Sequence, residues 1–325
     1  MNLRNVASLF VSTLGITLSA CGSDGTTAAT NGTTGSGGAT GSGGAGGSAS
    51  TSMSTSTSTS MSTTDAATSS GAGGSGGSMP ASPVCTAPIQ AADISKVTTK
   101  VGSGKGTCTE QAFADAVKLG GVITFDCGGA ATINITSQKE LPKDKDTVID
   151  GGGLVTLDGG GKTRILNFNG GDFRKTKTTV TLQHLAFKNA RSSGTAIAPA
   201  PAPCSQGTDT DGGGAAILIR DGVLHVIDVD FEDGKGPALG PDVAGGGVYG
   251  IGSLDITIVG SRFKNNAAAN GGAVGSLFSN LTLVNDVFDH NQATGSGANY
   301  IDSACKVNGG ESGNGGNGGA VVIDG

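Results

Sequence analysis

Short runs in which apolar and polar residues alternate follow one another along the chain after residue 120. Between residues 122 and 187 they read VITFD, ATINIT, DTVID, LVTLD, RILNF and TVTLQHLAF, and Gly or Asn residues lie around them. Alternation with a period of two is typical of strands with one buried face. The pattern therefore predicts an all-β body built from short strands.

One segment has the periodicity of a helix instead. In TEQAFADAVK, residues 109–118, Ala112, Phe113, Ala116 and Val117 fall on one apolar face. Thr109 is a suitable N-cap, and the glycine pair at 120–121 is a suitable end. The spacing predicts a short helix over 109–118.

The later strands repeat a pattern that ends in phenylalanine. Apolar residues lie seven and five positions before four Phe residues: Val180/Leu182 before Phe187, Leu224/Val226 before Phe231, Ile256/Ile258 before Phe263 and Leu281/Leu283 before Phe288. Asn266 and Asn291 follow two of them at the third position. Gly-Gly-Ala or Gly-Gly-Val, beginning at Gly213, Gly246 and Gly271, precedes three of them. Such recurrence indicates a solenoid, in which equivalent residues stack about 4.8 Å apart.

The alternation of Gly-Gly-Ala-[Ile/Val] with Phe-x-x-Asn resembles the repeats of polymorphic outer membrane proteins. From about residue 108 onward the chain resembles a right-handed parallel β-helix of the pectate-lyase-like kind. That resemblance implies that the 109–118 helix caps the N-terminal end of the stack. Gly318-Gly319-Ala320-Val321 opens another repeat whose Phe would fall beyond Gly325, so we expect the β-helix domain, 84–325, to be incomplete at its C-terminus.

The N-terminus has the pattern of an export signal. Arg4 precedes a mostly apolar run, 6–20, which is too short to span a bilayer as a helix. Leu18-Ser19-Ala20-Cys21 resembles a bacterial lipobox, which implies a signal peptide over 1–20 and a lipid on Cys21. Gly22 at the next position is similar to outer-membrane sorting signals. We expect a protein anchored at the outer membrane or cell surface; the alternative is an ordinary secretory signal and a secreted protein.

Residues 21–83 consist almost wholly of Gly, Ser, Thr and Ala, with Asp24 and Asp65 as the charged residues. Such a segment buries too little apolar surface to offset its ordering entropy, so we expect a disordered tether. The chain as a whole has a net charge of −6 and scattered Lys and Arg, which argues against nucleic acid as a partner.

The cysteines fit an exported protein. No Cys-x-x-Cys is present and no Cys lies near a His at zinc-ligand spacing, so we expect disulfides and no metal site of this type. Cys108 and Cys127 flank the helix and are one expected pair; Cys204 and Cys305 are a second candidate pair. Cys85 is then left free or has a partner outside this chain.

Candidate catalytic residues are few. Asp228 and Asp230, two apart and near Arg220 in sequence, are candidates for acid–base work or for binding calcium, as in polysaccharide lyases or hydrolases. The interpretation we favour is that they are solvated outward residues, because they align with Gly260/Arg262 and Asn285/Val287 in the later repeats.

Other candidates are weaker. Asp209 and Asp211 lie in a polar loop and are further calcium candidates. The three histidines, at 184, 225 and 290, are interpreted as isolated surface residues. With no Trp in the chain and Phe assigned to the core, a sugar-binding aromatic platform is weakly indicated.

These patterns favour a lipid-anchored β-helix protein with an adhesive, interaction or scaffolding role, no catalytic site and no cofactor. A cell-surface polysaccharide or a protein is the expected ligand. A secreted polysaccharide lyase or hydrolase is the first alternative, and a non-functional fragment of a longer β-helix protein is the second.

Overall fold

The computed structural model describes residues 85–197, 204–297 and 313–325. The expected signal peptide, the expected tether and Cys21, the expected site of lipid attachment, lie outside the described residues, as does Cys305. The described part consists mostly of strands, with one α-helix and one short 3-10 helix (Thr210–Gly212), so the prediction of an all-β body is confirmed. None of the helices in these ranges is long and apolar enough to cross a membrane.

The strands are short, as the alternating runs predicted. In chain order, with the helix α1 at Glu110–Leu119, they are β1 Thr99–Val101, β2 Gly121–Phe125, β3 Ala131–Asn134, β4 Lys139–Glu140, β5 Thr147–Asp158, β6 Leu166–Asn169, β7 Thr179–Lys188, β8 Ile217–Arg220, β9 Val223–Glu232, β10 Val248–Ile251, β11 Asp255–Val259, β12 Arg262–Lys264, β13 Ala267–Ala268, β14 Val274–Leu277, β15 Leu281–Val284, β16 Val287–Asp289, β17 Gln292–Ala293 and β18 Val321–Asp324. The runs DTVID and LVTLD form one strand, β5, which continues through the glycines at 151–153.

Parallel pairing joins these strands into three sheets. The largest follows the path β1-β2-β5-β7-β9-β11-β15, with β3, β12 and β16 beside it. A six-stranded sheet has the order β4-β6-β8-β10-β14-β18, and β13 pairs with β17. Every pair of named strands is parallel. Because β6, β8 and β10 lie between β5, β7, β9 and β11 in sequence, the chain passes alternately from one large sheet to the other.

The phenylalanine alignment corresponds to the strand register. Phe187 pairs with Phe231, Phe231 with Phe263, and Phe263 with Phe288. Their rings are nearly parallel, at interplanar angles of 7°, 3° and 9°, with centroids 5.2, 4.7 and 5.0 Å apart. The apolar pairs upstream also lie in register, Val180 with Leu224, Leu224 with Ile256, and Ile256 with Leu281. The side chains of successive repeats therefore stack in the core.

The asparagine of Phe-x-x-Asn links one repeat to the repeat before it. Asn266 is buried, donates from Nδ2 to the Phe231 carbonyl at 3.0 Å and accepts from the Gly234 amide at 2.9 Å. Asn291 repeats the arrangement, donating to the Phe263 carbonyl at 2.9 Å. The left-handed residue of this turn is the one before, Asn265. The asparagine thus satisfies backbone groups that the turn leaves unpaired.

In two repeats, the glycine motif lies one residue away from the position that the sequence alignment gave it. Ile217, Val248, Val274 and Val321 lie in register. The residue three positions before each is a left-handed glycine: Gly214, Gly245, Gly271 and Gly318, with φ of 66°, 71°, 42° and 57°. The alignment on Gly213 and Gly246 is therefore wrong by one position. Residues 212–214 and 245–247 are each three consecutive glycines, so the sequence alone does not show which glycine lies in register with the other repeats.

The helix occurs where the sequence predicted it. The Thr109 side chain accepts from the Ala112 amide at 3.1 Å, and Gly120 ends the helix. Phe113, Ala116 and Val117 are buried in the same hydrophobic core as the strands. A disulfide joins Cys108 to Cys127, with 5.4 Å between the Cα atoms, and holds the start of the helix to the segment after β2.

Among the other described cysteines, Cys85 and Cys204 are each disulfide-bonded. The expectation of a free Cys85 is therefore wrong. The proposed partner of Cys204, Cys305, lies outside the described residues.

Candidate functional site

The two candidate carboxylates of β9 lie on either side of a bend. Asp228 is left-handed, with φ of 52°, and so are His184, Gly260 and Asn285 at the matching positions of the neighbouring repeats. Asp and Asn tolerate this backbone, and Gly adopts it without strain. Leu224 and Val226 point inward before the bend, and Val229 and Phe231 point inward after it. Residues two apart share a side only on a straight strand, so alternation does not place Asp228 and Asp230 on one side across this bend.

Asp230 forms a two-pronged ion pair with Arg262. The Arg262 Nε atom lies 3.0 Å from Oδ1 and its terminal nitrogen 3.1 Å from Oδ2. The hydrogen bonds that Arg262 donates to Asp230 raise the pKa of Arg262. The two residues are in register on β9 and β12. Because Asp230 and Arg262 occupy aligned positions of successive repeats, their opposite charges are a sequence signal for this ion pair.

Arg220 does not join this pair. It lies on β8, in the six-stranded sheet, whereas Asp228 and Asp230 lie on β9 in the ten-stranded sheet. Its guanidinium approaches the Thr210 hydroxyl at 3.4 Å. The structure therefore brings Asp230 together with Arg262 and leaves Arg220 on another sheet.

A ladder of alternating charge runs beside Asp230 and Arg262. Asp158, Lys188, Glu232, Lys264 and Asp289 are successive register partners on β5, β7, β9, β12 and β16. The Lys188 Nζ atom lies 2.6 Å from Glu232 Oε2, and this hydrogen bond raises the pKa of Lys188. We call these five residues, with Asp230 and Arg262, the charged face. A shallow recess of about 260 Å³ opens among Lys188, Asp230, Phe231, Glu232, Arg262 and Lys264.

Opposite charges at neighbouring positions largely compensate one another on this face. Cross-strand pairs of this kind contribute roughly 0.2–1 kcal/mol each. The long-range field is therefore weak, and a ligand would be held by regularly spaced hydrogen bonds at short range.

The calcium candidates in the 204–212 loop have structural partners. Asp209 accepts from the Thr210 amide at 2.6 Å at the start of the 3-10 helix. Asp211 accepts from the amide and the hydroxyl of Thr195, both at 2.8 Å. Within the three described ranges, no group of three or more His, Cys, Asp or Glu residues is arranged to hold a metal ion.

Each histidine lies against a carboxylate, so the interpretation of isolated histidines is wrong. His184 Nδ1 lies 3.1 Å from Asp150 Oδ2, and His225 Nε2 lies 3.7 Å from Asp255 Oδ2. His290 contacts the neighbouring Asp289. The sequence did not indicate the first two pairs, because their members lie on different strands.

The segment 85–98 passes beside Asp150, the buried partner of His184. Asn285 accepts from the Cys85 amide at 3.0 Å and donates to the Cys85 carbonyl at 2.8 Å. Gln183 binds the amide and carbonyl of Ala92 in the same way, at 2.7 and 3.2 Å. Gln183 also donates to Asp150, and both side chains are buried. The amide side chains of Asn285 and Gln183 thus bond the backbone of the segment 85–98 as a neighbouring strand would. Asp150 is closed to solvent.

A recess of about 500 Å³ lies between α1 and residues 136–140. The buried Lys139 donates to Glu110 Oε1 and to the Ser137 carbonyl, both at 2.5 Å. Burial alone would raise the pKa of Glu110, but the hydrogen bonds from Lys139 and Thr136 outweigh it and lower that pKa to about 2. This ion pair fastens the helix to the strands.

Comparison of the chain with models of protein families, with curated proteins and with solved structures finds no match. A function therefore has to be argued from the charged face and the other surfaces of the chain itself.

Proposed function

We propose that the chain is a right-handed parallel β-helix, held at the bacterial surface by a lipid on Cys21, with an adhesive or scaffolding role. In this proposal the charged face binds a cell-surface polysaccharide or a protein. The β-helix is supported by the parallel pairing, by the passage of the chain between the two large sheets, and by the in-register stack of Phe187, Phe231, Phe263 and Phe288. Connections between parallel strands of one sheet are right-handed in nearly all proteins.

The observation that carries the adhesive role is the regularity of the charged face. Five of its charged side chains recur once per strand at about 4.8 Å: Asp158, Lys188, Glu232, Lys264 and Asp289, on β5, β7, β9, β12 and β16. A polymer with repeating polar groups is complementary to such a surface, because each further repeat adds contacts without a new association cost.

Charge reversal on this face tests the role directly. Lys264→Glu places like charges beside Glu232 and Asp289, and we expect it to weaken binding to isolated cell-surface polysaccharides several-fold with the fold intact. Lys118→Glu, at an exposed position of α1, is the matched control. Equal binding by wild type and both variants would contradict a role for the charged face.

Lipid anchoring requires a separate test. We expect labelled palmitate to be incorporated into the wild-type protein and protease added to intact cells to digest it. Cys21→Ala is expected to abolish both the label and the membrane association. A wild-type protein recovered unlabelled from the medium would support the secreted alternative.

A polysaccharide lyase or hydrolase is the competing function. Asp230 is paired with Arg262, and Arg220 lies on the other large sheet. Asp228 therefore has no convergent acid–base partner among these candidates. Incubation with polygalacturonate and other uronic polymers, followed by the absorbance of unsaturated product, separates the two functions. Turnover that disappears in Asp228→Asn, a substitution that the left-handed backbone tolerates, would overturn the adhesive proposal.

A further inference from the structure

Among the described residues, two phenylalanines lie outside the core, contrary to the expectation that Phe is confined to it. Phe173, in the turn between β6 and β7, is 56% exposed, and Phe278, directly after β14, is 43% exposed. Their rings meet edge to face, with centroids 6.0 Å apart and an interplanar angle of 77°. Paired aromatic rings on a surface are candidates for ligand contact, since single exposed apolar residues are common but clustered ones are not.

Phe278 occupies a strained backbone position. Its φ is 52°, and the matching positions of other repeats hold Asp221, Gly252 and Gly325, residue types that tolerate a left-handed backbone. A bulky residue in this region is a genuine outlier. Such strain persists where the surrounding structure enforces it, and it concentrates at functional sites.

The surroundings hold both rings in place. A Cβ added to Gly252 would lie 2.5 Å from Cδ2 and Cε2 of Phe173, so that ring stands with one edge against Gly252. Arg174 donates from its backbone to the Gly252 carbonyl at 3.1 Å and from its guanidinium to the Phe278 carbonyl at 2.8 Å. Phe173 is nevertheless more than half exposed, so part of its ring remains open to a ligand.

Polar groups surround the ring pair. Asp221 is only 4% exposed, and its Oδ1 atom has no hydrogen-bond partner in the described structure. The same atom would lie 2.9 Å from a Cβ on Gly252, which places it beside the Phe173 edge. Residues 172–177 carry three basic side chains, Arg174, Lys175 and Lys177, and one acidic side chain, so this turn has a net charge of +2 in a chain of −6.

We propose that Phe173 and Phe278, with the basic turn 172–177, form a binding site for pyranose units of an anionic glycan. The apolar C–H face of a pyranose ring stacks on the electron-rich face of Phe173. Arg174, Lys175 and Lys177 supply the charge that pairs with acidic substituents. This site lies apart from the charged face and goes beyond the function proposed above, since it does not depend on the lipid anchor.

A protein partner fits this site less well. Stable protein interfaces bury about 800 Å² on each side, far more than two partly exposed rings offer. A single-stranded nucleic acid would also combine stacking with basic side chains, and it is therefore one arm of the test.

The test is calorimetric titration of the full chain with a heparin hexasaccharide, with cellohexaose as the uncharged comparison. We expect the heparin fragment to bind more tightly, with an affinity that falls as salt is added. Phe173→Ala is expected to weaken binding about tenfold. Phe278→Gly is expected to weaken it similarly while the melting temperature stays the same or rises, because glycine relieves the strained φ.

Leu154→Ala, at an exposed apolar position away from the turn, is the control and is expected to bind as wild type. Binding that neither Phe variant changes, or no binding to either sugar, overturns the proposal. If Phe278→Gly and Phe173→Ala both lose the fold as well as binding, the two rings have a structural role and the proposal is overturned. Tighter binding of a hexathymidylate than of the heparin fragment would also overturn it.

Discussion

The corner residues of this chain have to accept a left-handed backbone, and their identities follow from that demand. Asn189, Asp233, Asn265 and His290 occupy matching positions after the stacked phenylalanines, with φ between 48° and 58°. The residue that follows Asn265 has a different task, because Asn266 bonds to the preceding repeat. The Phe-x-x-Asn spacing does not reveal this second task, since a side-chain bond between repeats leaves no local pattern.

Removal of the Asn266 amide tests this division. Asn266→Ala leaves the buried Phe231 carbonyl and Gly234 amide without their partner, and each unsatisfied group costs about 1–3 kcal/mol. We expect the free energy of unfolding in urea to fall by roughly 2–4 kcal/mol. Asn280→Ala, which removes one exposed bond to the Leu254 carbonyl, is the control and should cost under about 1 kcal/mol. Equal losses in both variants would contradict the account.

Asp286 predicts a pH dependence. Burial raises its pKa from 3.8 to about 6, although the amides of Ser261 and Val284 partly offset the effect. The folded protein therefore binds more protons than the unfolded chain between these values, so stability decreases as the pH rises from about 4 to 6 and is constant above. The contribution is at most about 3 kcal/mol. Urea unfolding at several pH values measures it, and Asp286→Ala should flatten this step. If the unfolding free energy of wild type minus that of Asp286→Ala instead increases from pH 4 to pH 6, the assignment is refuted.

Among the elements, the strands were easier to predict than the segments that cross them. The period-two runs and the Phe spacing are local signals, and they led to the observed register of the later strands. The segment 85–98 has no such signal, because Gln183 and Asn285, which hold it, are 91 and 200 residues away in sequence. The glycine runs lie between these two cases, because the sequence predicts the motif but not its register.

The phenylalanine stack is expected to dominate the stability of the strand elements. Phe263 is fully buried between Phe231 and Phe288, and its replacement by Ala leaves a cavity that costs about 3–5 kcal/mol. Urea unfolding measures the loss. Val287→Ala, on the neighbouring strand β16 but exposed, should change stability by less than about 0.5 kcal/mol. A loss under 1 kcal/mol for Phe263→Ala would mean that the rings do not form the core.

Docking of α1 depends on the pair of Glu110 and the buried Lys139. Glu110→Gln leaves the lysine charge unpaired, and we expect a loss of roughly 2 kcal/mol at pH 7, below the range for fully buried pairs because Glu110 is partly exposed. Because the folded pKa of Glu110 is lowered to about 2, its contribution is present above pH 4.5 and is lost as the pH falls toward 2. The difference between wild type and variant in urea unfolding should therefore shrink in acid. A difference that stays constant from pH 7 to 2 would contradict this.

For the whole molecule, sequence patterning sufficed for the all-β body, the helix and the Cys108–Cys127 pair, because each leaves a periodicity or a spacing in the chain. The candidate sites were harder to predict. The Asp230–Arg262 pair and the Phe173–Phe278 pair join residues of different repeats, so they depend on the register and on the turns. A regular stack also explains why the charged face arises, since a single outward position recurs on each strand.

The central claim is that equivalent residues of successive repeats lie directly over one another, and ring-to-ring contacts test it most directly. In a protein labelled on phenylalanine, we predict nuclear Overhauser contacts between the rings of Phe187 and Phe231, Phe231 and Phe263, and Phe263 and Phe288, with assignments from Phe→Leu variants. Rings at centroid distances of 4.7–5.2 Å place their protons within range. The absence of these three contacts in a folded protein, or contacts between Phe187 and Phe263 instead, would contradict the account.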